Sequence, residues 1–295
     1  MEEDNESTEI SNNSIIYFVN SSNSINHNNN QSETASFPKE NIEYFNEIYT
    51  NLLLDEKYAN CKLNINYMKN QCDINERMRA ILVDWIIEIQ DFLHLERKTI
   101  FLTIYIMDLY LSKNIIEKKK FQLLSIACLL SSSKINGFQR PIVGKLVQLS
   151  DNCCNKEELR QMEIKVMKCL KFEVFLPTAE EFYNIISKQY KFERKQRLVG
   201  EYFLDCSLLS YELLKYKPSV IAAACAYIVM KYFHISEYEN LYNFPFTLED
   251  SQQAIVKKCA LDLCFLVKNI SNLNTFNGII KYSKEKYGNV ANLFK

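Results

Sequence analysis

Five glycines and five prolines are spread through 295 residues. Sandwiches, barrels and glycine-looped nucleotide folds use far more punctuation, because tight turns call for a positive or a locked φ. A chain so poor in breakers can run long helices, and 47% hydrophobic residues give it the apolar surface to pack them. The expected class is all-α. Neither G-x-G-x-x-G nor G-x-x-x-x-G-K-S/T occurs, which removes the common phosphate cradles. A formal net charge of -1 argues against a nucleic-acid binder. The ten cysteines include no C-x-x-C, and His27, His94 and His234 are not spaced with them as zinc requires. This predicts buried thiols in a reducing compartment, with no metal and no cofactor. The acidic start MEEDNESTEI is not a signal peptide, and no apolar run reaches membrane-spanning length.

Residues 1–40 stand apart. Of the first 38, seventeen are Asn or Ser, six are acidic and none is Lys or Arg. Such a segment cannot bury enough surface to offset its ordering entropy, so a disordered tail is expected. From Asn41 the pattern turns helical: Tyr44, Ile48 and Leu52 recur at four-residue spacing. Residues 41–74 then read as an N-terminal helix and a polar connector. Asn75 is placed to cap a helix to Leu93. Further helices are expected over 97–112, 116–136, 141–150 and 155–171. Pro177-Thr178 breaks the series, since proline disfavours helix before it and threonine caps the next one. The second half repeats the style over 178–189, 193–213, 217–233, 248–268 and 275–287. A shift of 97 positions superposes Asp108 on Asp205, Leu111 on Leu208, Ala127 on Ala224, Cys128 on Cys225 and Lys134 on Lys231. These coincidences suggest two helical units of one fold, at 75–176 and 177–295.

One helix is unusual. Met78, Ile81, Leu82 and Trp85 form one apolar stripe, and Val83, Ile86, Ile87 and Gln90 form another. A surface helix needs a single stripe. Two imply a central helix, or one that keeps a face for a partner. Arg79 interrupts the run, and a buried arginine needs an acid, for which Asp108 is the candidate.

The stretch 67–85, Tyr-Met-Lys-Asn-Gln-Cys-Asp-Ile-Asn-Glu-Arg-Met-Arg-Ala-Ile-Leu-Val-Asp-Trp, resembles the entry to the cyclin box of A/B-type cyclins. The likeness continues through Asp108, Phe121-Gln122-Leu123, Ser133-Lys134 and Met162-Glu163 to Leu170-Lys171-Phe172. It resumes at Tyr216-Lys217-Pro218-Ser219 and at Lys281-Tyr282. The resemblance implies two tandem five-helix cyclin folds behind an N-terminal helix and tail. It implies a regulatory subunit, not an enzyme, that binds and activates a cyclin-dependent serine/threonine kinase in cell-cycle progression, with a lean to mitosis. Lys134 and Glu163 correspond to the pair that grips the kinase's mobile helix. Ile135, Met167, Phe172 and Val174, with Tyr44 and Ile48 of the N-terminal helix, correspond to apolar contacts around it. A second implied site is the groove for Arg-x-Leu motifs of substrates and inhibitors, at Met78, Ile81, Leu82, Trp85 and Gln122, with Glu88 as the acid for the arginine.

Without that resemblance, Lys134 and Glu163 read as an ordinary solvated lysine and an ordinary glutamate on an amphipathic helix. Lys39-Glu40-Asn41 matches a short degradation signal recognised by ubiquitin-ligase machinery. Nuclear and cytoplasmic residence is the matching expectation. The alternatives are a two-cyclin-fold transcription factor, which predicts a zinc ribbon and a basic face, a helical adaptor without a kinase, and an enzyme. No catalytic group is seen to converge for the last.

Overall fold

The computed structural model describes residues 39–294 apart from 61–62, 138–140, 152, 236–249 and 272–275. The tail expected at 1–40 lies almost wholly outside them. Among the described residues every regular element is helical. In order they are α1 (Lys39–Asn60), α2 (Glu76–Leu93), α3 (Arg97–Leu111), α4 (Lys118–Asn136), α5 (Val143–Leu149), α6 (Lys156–Cys169), α7 (Ala179–Gln189), α8 (Arg194–Leu209), α9 (Pro218–Tyr232), α10 (Asp250–Ser271) and α11 (Asn277–Tyr282). Two sets of five helices, α2–α6 and α7–α11, follow the N-terminal helix.

Helix boundaries have local causes. The Asn75 side chain accepts from the Met78 amide to start α2, and His94 ends it at φ 52° with its amide turned back on Asp91 and Gln90. Asn155 with Glu158, and Thr178 with Glu181, build reciprocal capping boxes at α6 and α7. Pro218 opens α9, where its missing N–H costs nothing. Two predicted helices stop early. The 193–213 stretch ends at Leu209 because Tyr211 is pulled onto the connector: its hydroxyl donates to the Ile65 carbonyl at 2.6 Å and accepts from the Met68 amide at 3.0 Å. The 275–287 stretch breaks after Tyr282, and its last turn is set by Gly288 at φ 66°.

Each set is built round one helix with small side chains at its middle. Ala127 and Cys128 of α4 are fully buried between α3 and α6. Ala224, Cys225 and Ala226 of α9 are fully buried among α7, α8 and α10. Short side chains bring backbones close, and the same logic applies at Gly200 of α8, where a Cβ would overlap the Tyr183 ring.

The 97-residue repeat also carries a repeated device. Asp108 and Asp205 are each 1% exposed. Asp108 receives a two-pronged bond from Arg79, at 2.8 and 2.6 Å, and the Tyr67 hydroxyl at 2.7 Å. Asp205 receives Arg97 at 3.0 Å, Lys281 at 3.1 Å and the Tyr282 hydroxyl at 2.9 Å. Burial alone pushes the Asp205 carboxyl up, but Arg97 and Lys281 outweigh it and hold it below the usual carboxylate range. Both clusters bridge the two sets of helices: Arg79 also donates to the Leu208 carbonyl at 2.9 Å, and Arg97 reaches Asp205 from the start of α3.

The N-terminal helix is tied to the second set. Tyr49 packs edge-on against Phe182 with ring centroids 5.1 Å apart. Glu56, buried on α1, accepts from both the amide and the hydroxyl of Ser219, each at 2.7 Å. It thereby caps α9 from 163 residues away. Glu56→Ala is expected to cost about 1–2 kcal/mol, the scale of a lost cap, read as a lower urea midpoint at unchanged slope.

Candidate functional site

α4 ends in a residue with positive φ, Gly137 at 93°, whose amide bonds the Ser133 carbonyl at 3.2 Å. That places Lys134 in the last helical turn, where a cation faces the negative end of the helix. Its ammonium lies 2.7 Å from both carboxylate oxygens of Glu163, on α6. The Ser131 hydroxyl adds a longer bond to Glu163 at 3.4 Å. Lys134 is 48% exposed and Glu163 13%, so the lysine stands proud of a carboxylate held from below. A pair this open contributes about 0–1 kcal/mol to folding. The ammonium keeps a free donor and the carboxylate keeps spare acceptor capacity.

Apolar side chains surround the pair along the chain. Ile135 is exposed beside Lys134, and Met167, one turn beyond Glu163, is half-buried. Lys171 and Phe172 both take positive φ, at 55° and 60°, directly after α6. The Phe172 amide closes onto the Met167 carbonyl at 3.0 Å, and its ring is left 69% exposed. Ile164 and Phe175, on the same helix and the same exit segment, are also exposed. Nothing in their spacing marked them out. Val174 is buried, so its side chain supports this region from beneath and cannot lie on the outer surface. On α1, Tyr44 is exposed and Ile48 half-buried. That helix packs against α7 and α9.

The α2 stripes separate cleanly. Val83, Ile86, Ile87 and Gln90 are buried. On the other stripe Ile81 is 58% exposed, Met78 and Trp85 are half-buried, and Leu82 is buried as a floor residue. Gln122, near the start of α4, is half-buried, and α4 packs on α2. Glu88 is exposed and already accepts from the Asn277 side chain at 3.1 Å. Asp84, one turn before it, accepts from the Asn277 amide at 2.9 Å and so anchors the start of α11.

The Arg79–Asp108 pair lies at the base of α2 and is enclosed, each partner 1% exposed. Its hydrogen bonds run to groups of the fold itself, the Tyr67 hydroxyl and the Leu208 carbonyl. Lys39, Glu40 and Asn41 form the first turn of α1, and their side chains lie outside the described residues. Cys153 is exposed, a departure from the expected buried thiols, and Cys154 beside it is buried. Among the described residues no three His, Cys, Asp or Glu side chains converge as metal ligands, and no helix is long and apolar enough to cross a membrane.

Both helical sets match family models. Residues 47–175 match the cyclin N-terminal domain, and residues 177–294 match the cyclin C-terminal domain. The chain is 37% identical over 193 residues to G2/mitotic-specific cyclin-1 of Medicago sativa subsp. varia, covering 65% of this chain and 45% of that one. It is 29% identical over 255 residues to Cyclin-B2-2 of Arabidopsis thaliana, covering 86% and 58%. Against G2/mitotic-specific cyclin-B of Hydra viridissima the identity is 32% over 197 residues, covering 67% and 48%. The chain thus spans about half the length of these relatives. Among solved structures, a viral cyclin from herpesvirus saimiri superposes with a TM-score of 0.61 at 21% identity, covering 73% of this chain and 97% of that one, a likeness of fold.

Proposed function

The chain belongs to the cyclin family, and from that premise we propose that it is the regulatory subunit of a cyclin-dependent serine/threonine kinase, acting at G2/M. The observation that carries this is the Lys134–Glu163 pair: an open ion pair, of little use to the fold, flanked by the exposed Ile135 and Phe172. The first helical set would seat the kinase's mobile helix there, Lys134 taking backbone carbonyls at its end and Glu163 taking amides. Met167, with Tyr44 and Ile48 on α1, would add apolar contact, and Val174 would support it. Binding favours the active arrangement by the difference in affinity for the two kinase states, and by no more than that. Phosphoryl transfer stays in the kinase.

The exposed stripe of α2 would take the leucine of Arg-x-Leu motifs of substrates and inhibitors, with Met78, Ile81, Trp85 and Gln122 as walls and Leu82 as floor. Glu88 would trade its bond to Asn277 for the arginine. Trp85→Ala should weaken binding of such a peptide by about 2 kcal/mol or more, as loss of an aromatic anchor does. Phosphorylation of a short peptide lacking the motif should stay nearly unchanged. An equal loss on both substrates would remove the groove from the account. Lys39-Glu40-Asn41 would recruit ubiquitin-ligase machinery, and the protein would work in nucleus and cytoplasm.

A pull-down of a cyclin-dependent kinase by the recombinant chain, followed by phosphorylation of a histone-type substrate, tests the proposal. Capture with stimulation supports it. Capture without stimulation makes the protein an adaptor, and no capture removes the kinase.

A further inference from the structure

We propose that Asn277, the first residue of α11, is a specificity-determining residue of the α2 groove: it occupies one oxygen of Glu88 and so keeps the arginine of a docking motif from gripping that carboxylate with both prongs. This deepens the reading of the groove given above and rests on it. Asp84, Glu88 and Asp91 follow one another along α2 at four- and three-residue steps, which puts them on one face of the helix. The second helical set covers that face, where α11 packs on α2. Asp84 is buried and accepts from the Asn277 backbone amide at 2.9 Å. Asp91 accepts from the Tyr287 hydroxyl at 2.5 Å and lies 3.7 Å from the Lys284 ammonium. Glu88, between them and one turn beyond Trp85, is exposed, and its Oε2 accepts from the Asn277 side-chain amide at 3.1 Å. Among the described residues, the Oε1 of Glu88 has no hydrogen-bond partner.

The advantage of arginine over lysine at a carboxylate is geometric. Its planar fork sets two N–H groups on the two oxygens, whereas an ammonium acts as a point charge and is satisfied with one. In this chain one of the two oxygens is already taken. The competitor cannot drift away, because the Asn277 backbone is fixed by its bond to buried Asp84. The side-chain amide therefore stays within reach of Glu88 whatever else approaches. An arginine must displace that donor to use Oε2, and the exchange cancels most of what the second prong adds. A lysine takes Oε1 and leaves the clasp intact. The groove so built reads a positive charge ahead of the leucine, and not the shape of the guanidinium.

Calorimetric titration of the full chain with three peptides tests this. They are identical except for arginine, lysine or alanine two residues before the leucine. With the parent chain, the arginine and lysine peptides should bind within about twofold of each other, and both more tightly than the alanine peptide. Asn277→Ala keeps the backbone amide on Asp84 and frees Oε2. It should favour the arginine peptide over the lysine peptide by about fivefold or more, the gain from a second charge-assisted prong. Asn277→Ser, whose hydroxyl is too short to reach Glu88, should do the same, and Glu88→Gln combined with Asn277→Ala should abolish the preference. A ratio of arginine to lysine binding that neither variant changes, while Trp85→Ala still weakens all three peptides, would overturn the role of Asn277 and leave the groove standing. A loss of arginine binding in both Asn277 variants would make the residue part of the arginine's seat, which also overturns it. Binding that Trp85→Ala leaves untouched, or no binding of any peptide to the parent, would remove the groove and this role together.

Discussion

Arg79→Ala is expected to remove about 3–5 kcal/mol of folding stability, the scale of breaking a buried ion pair from one side. The loss comes less from the attraction forgone than from what remains. Asp108, 1% exposed, would be left with the Tyr67 hydroxyl alone, and the Leu208 carbonyl of the second helical set would lose its donor. Replacing both charges with apolar groups, Arg79→Met with Asp108→Leu, should recover much of the loss, because no orphaned charge is then buried. Urea unfolding of the two variants measures this. A single variant as stable as the parent would mean the cluster does not join the two helical sets.

The second expected result concerns the open pair. Lys134→Ala with Glu163→Ala should weaken kinase binding by about 2–5 kcal/mol, roughly thirtyfold to several thousandfold. Stimulation at a fixed low concentration should vanish. Folding stability should move by no more than about 1 kcal/mol, since the lysine is half in water and the double variant leaves no unpaired charge behind. The contrast with Arg79 is the informative part. One ion pair is sealed on both sides; in the other only the lysine is half-exposed, above a largely buried carboxylate. Retained stimulation in the double variant would place the kinase elsewhere.

Much of this was legible in the residues because helices write their packing at short range. The Pro177-Thr178 break, the Asn75 cap and the central Ala-Cys helices follow from local pattern, and the 97-residue spacing located both buried aspartates. Long-range contacts were not legible. Nothing local shows that Glu56 caps a helix 163 residues later, or that Arg97 leaves its own helical set for Asp205. The bonds of Tyr211 to Ile65 and Met68, which end α8 early, were equally invisible locally. The candidate site divides likewise. Exposure of Ile81 beside a buried Leu82 is a matter of where α4 and α11 pack, which periodicity cannot resolve. Lys134 and Glu163 lie 29 residues apart on different helices, and only the family resemblance had set them together.

Hydrogen exchange of the free and kinase-bound chain tests the central claim most directly. The end of α4 and the stretch from Glu163 to Phe175 should be slowed in the complex, and the far face of the second helical set should be unchanged. A kinase-bound chain in which Lys134, Glu163 and Phe172 exchange as freely as before, with slowing elsewhere, would contradict the account.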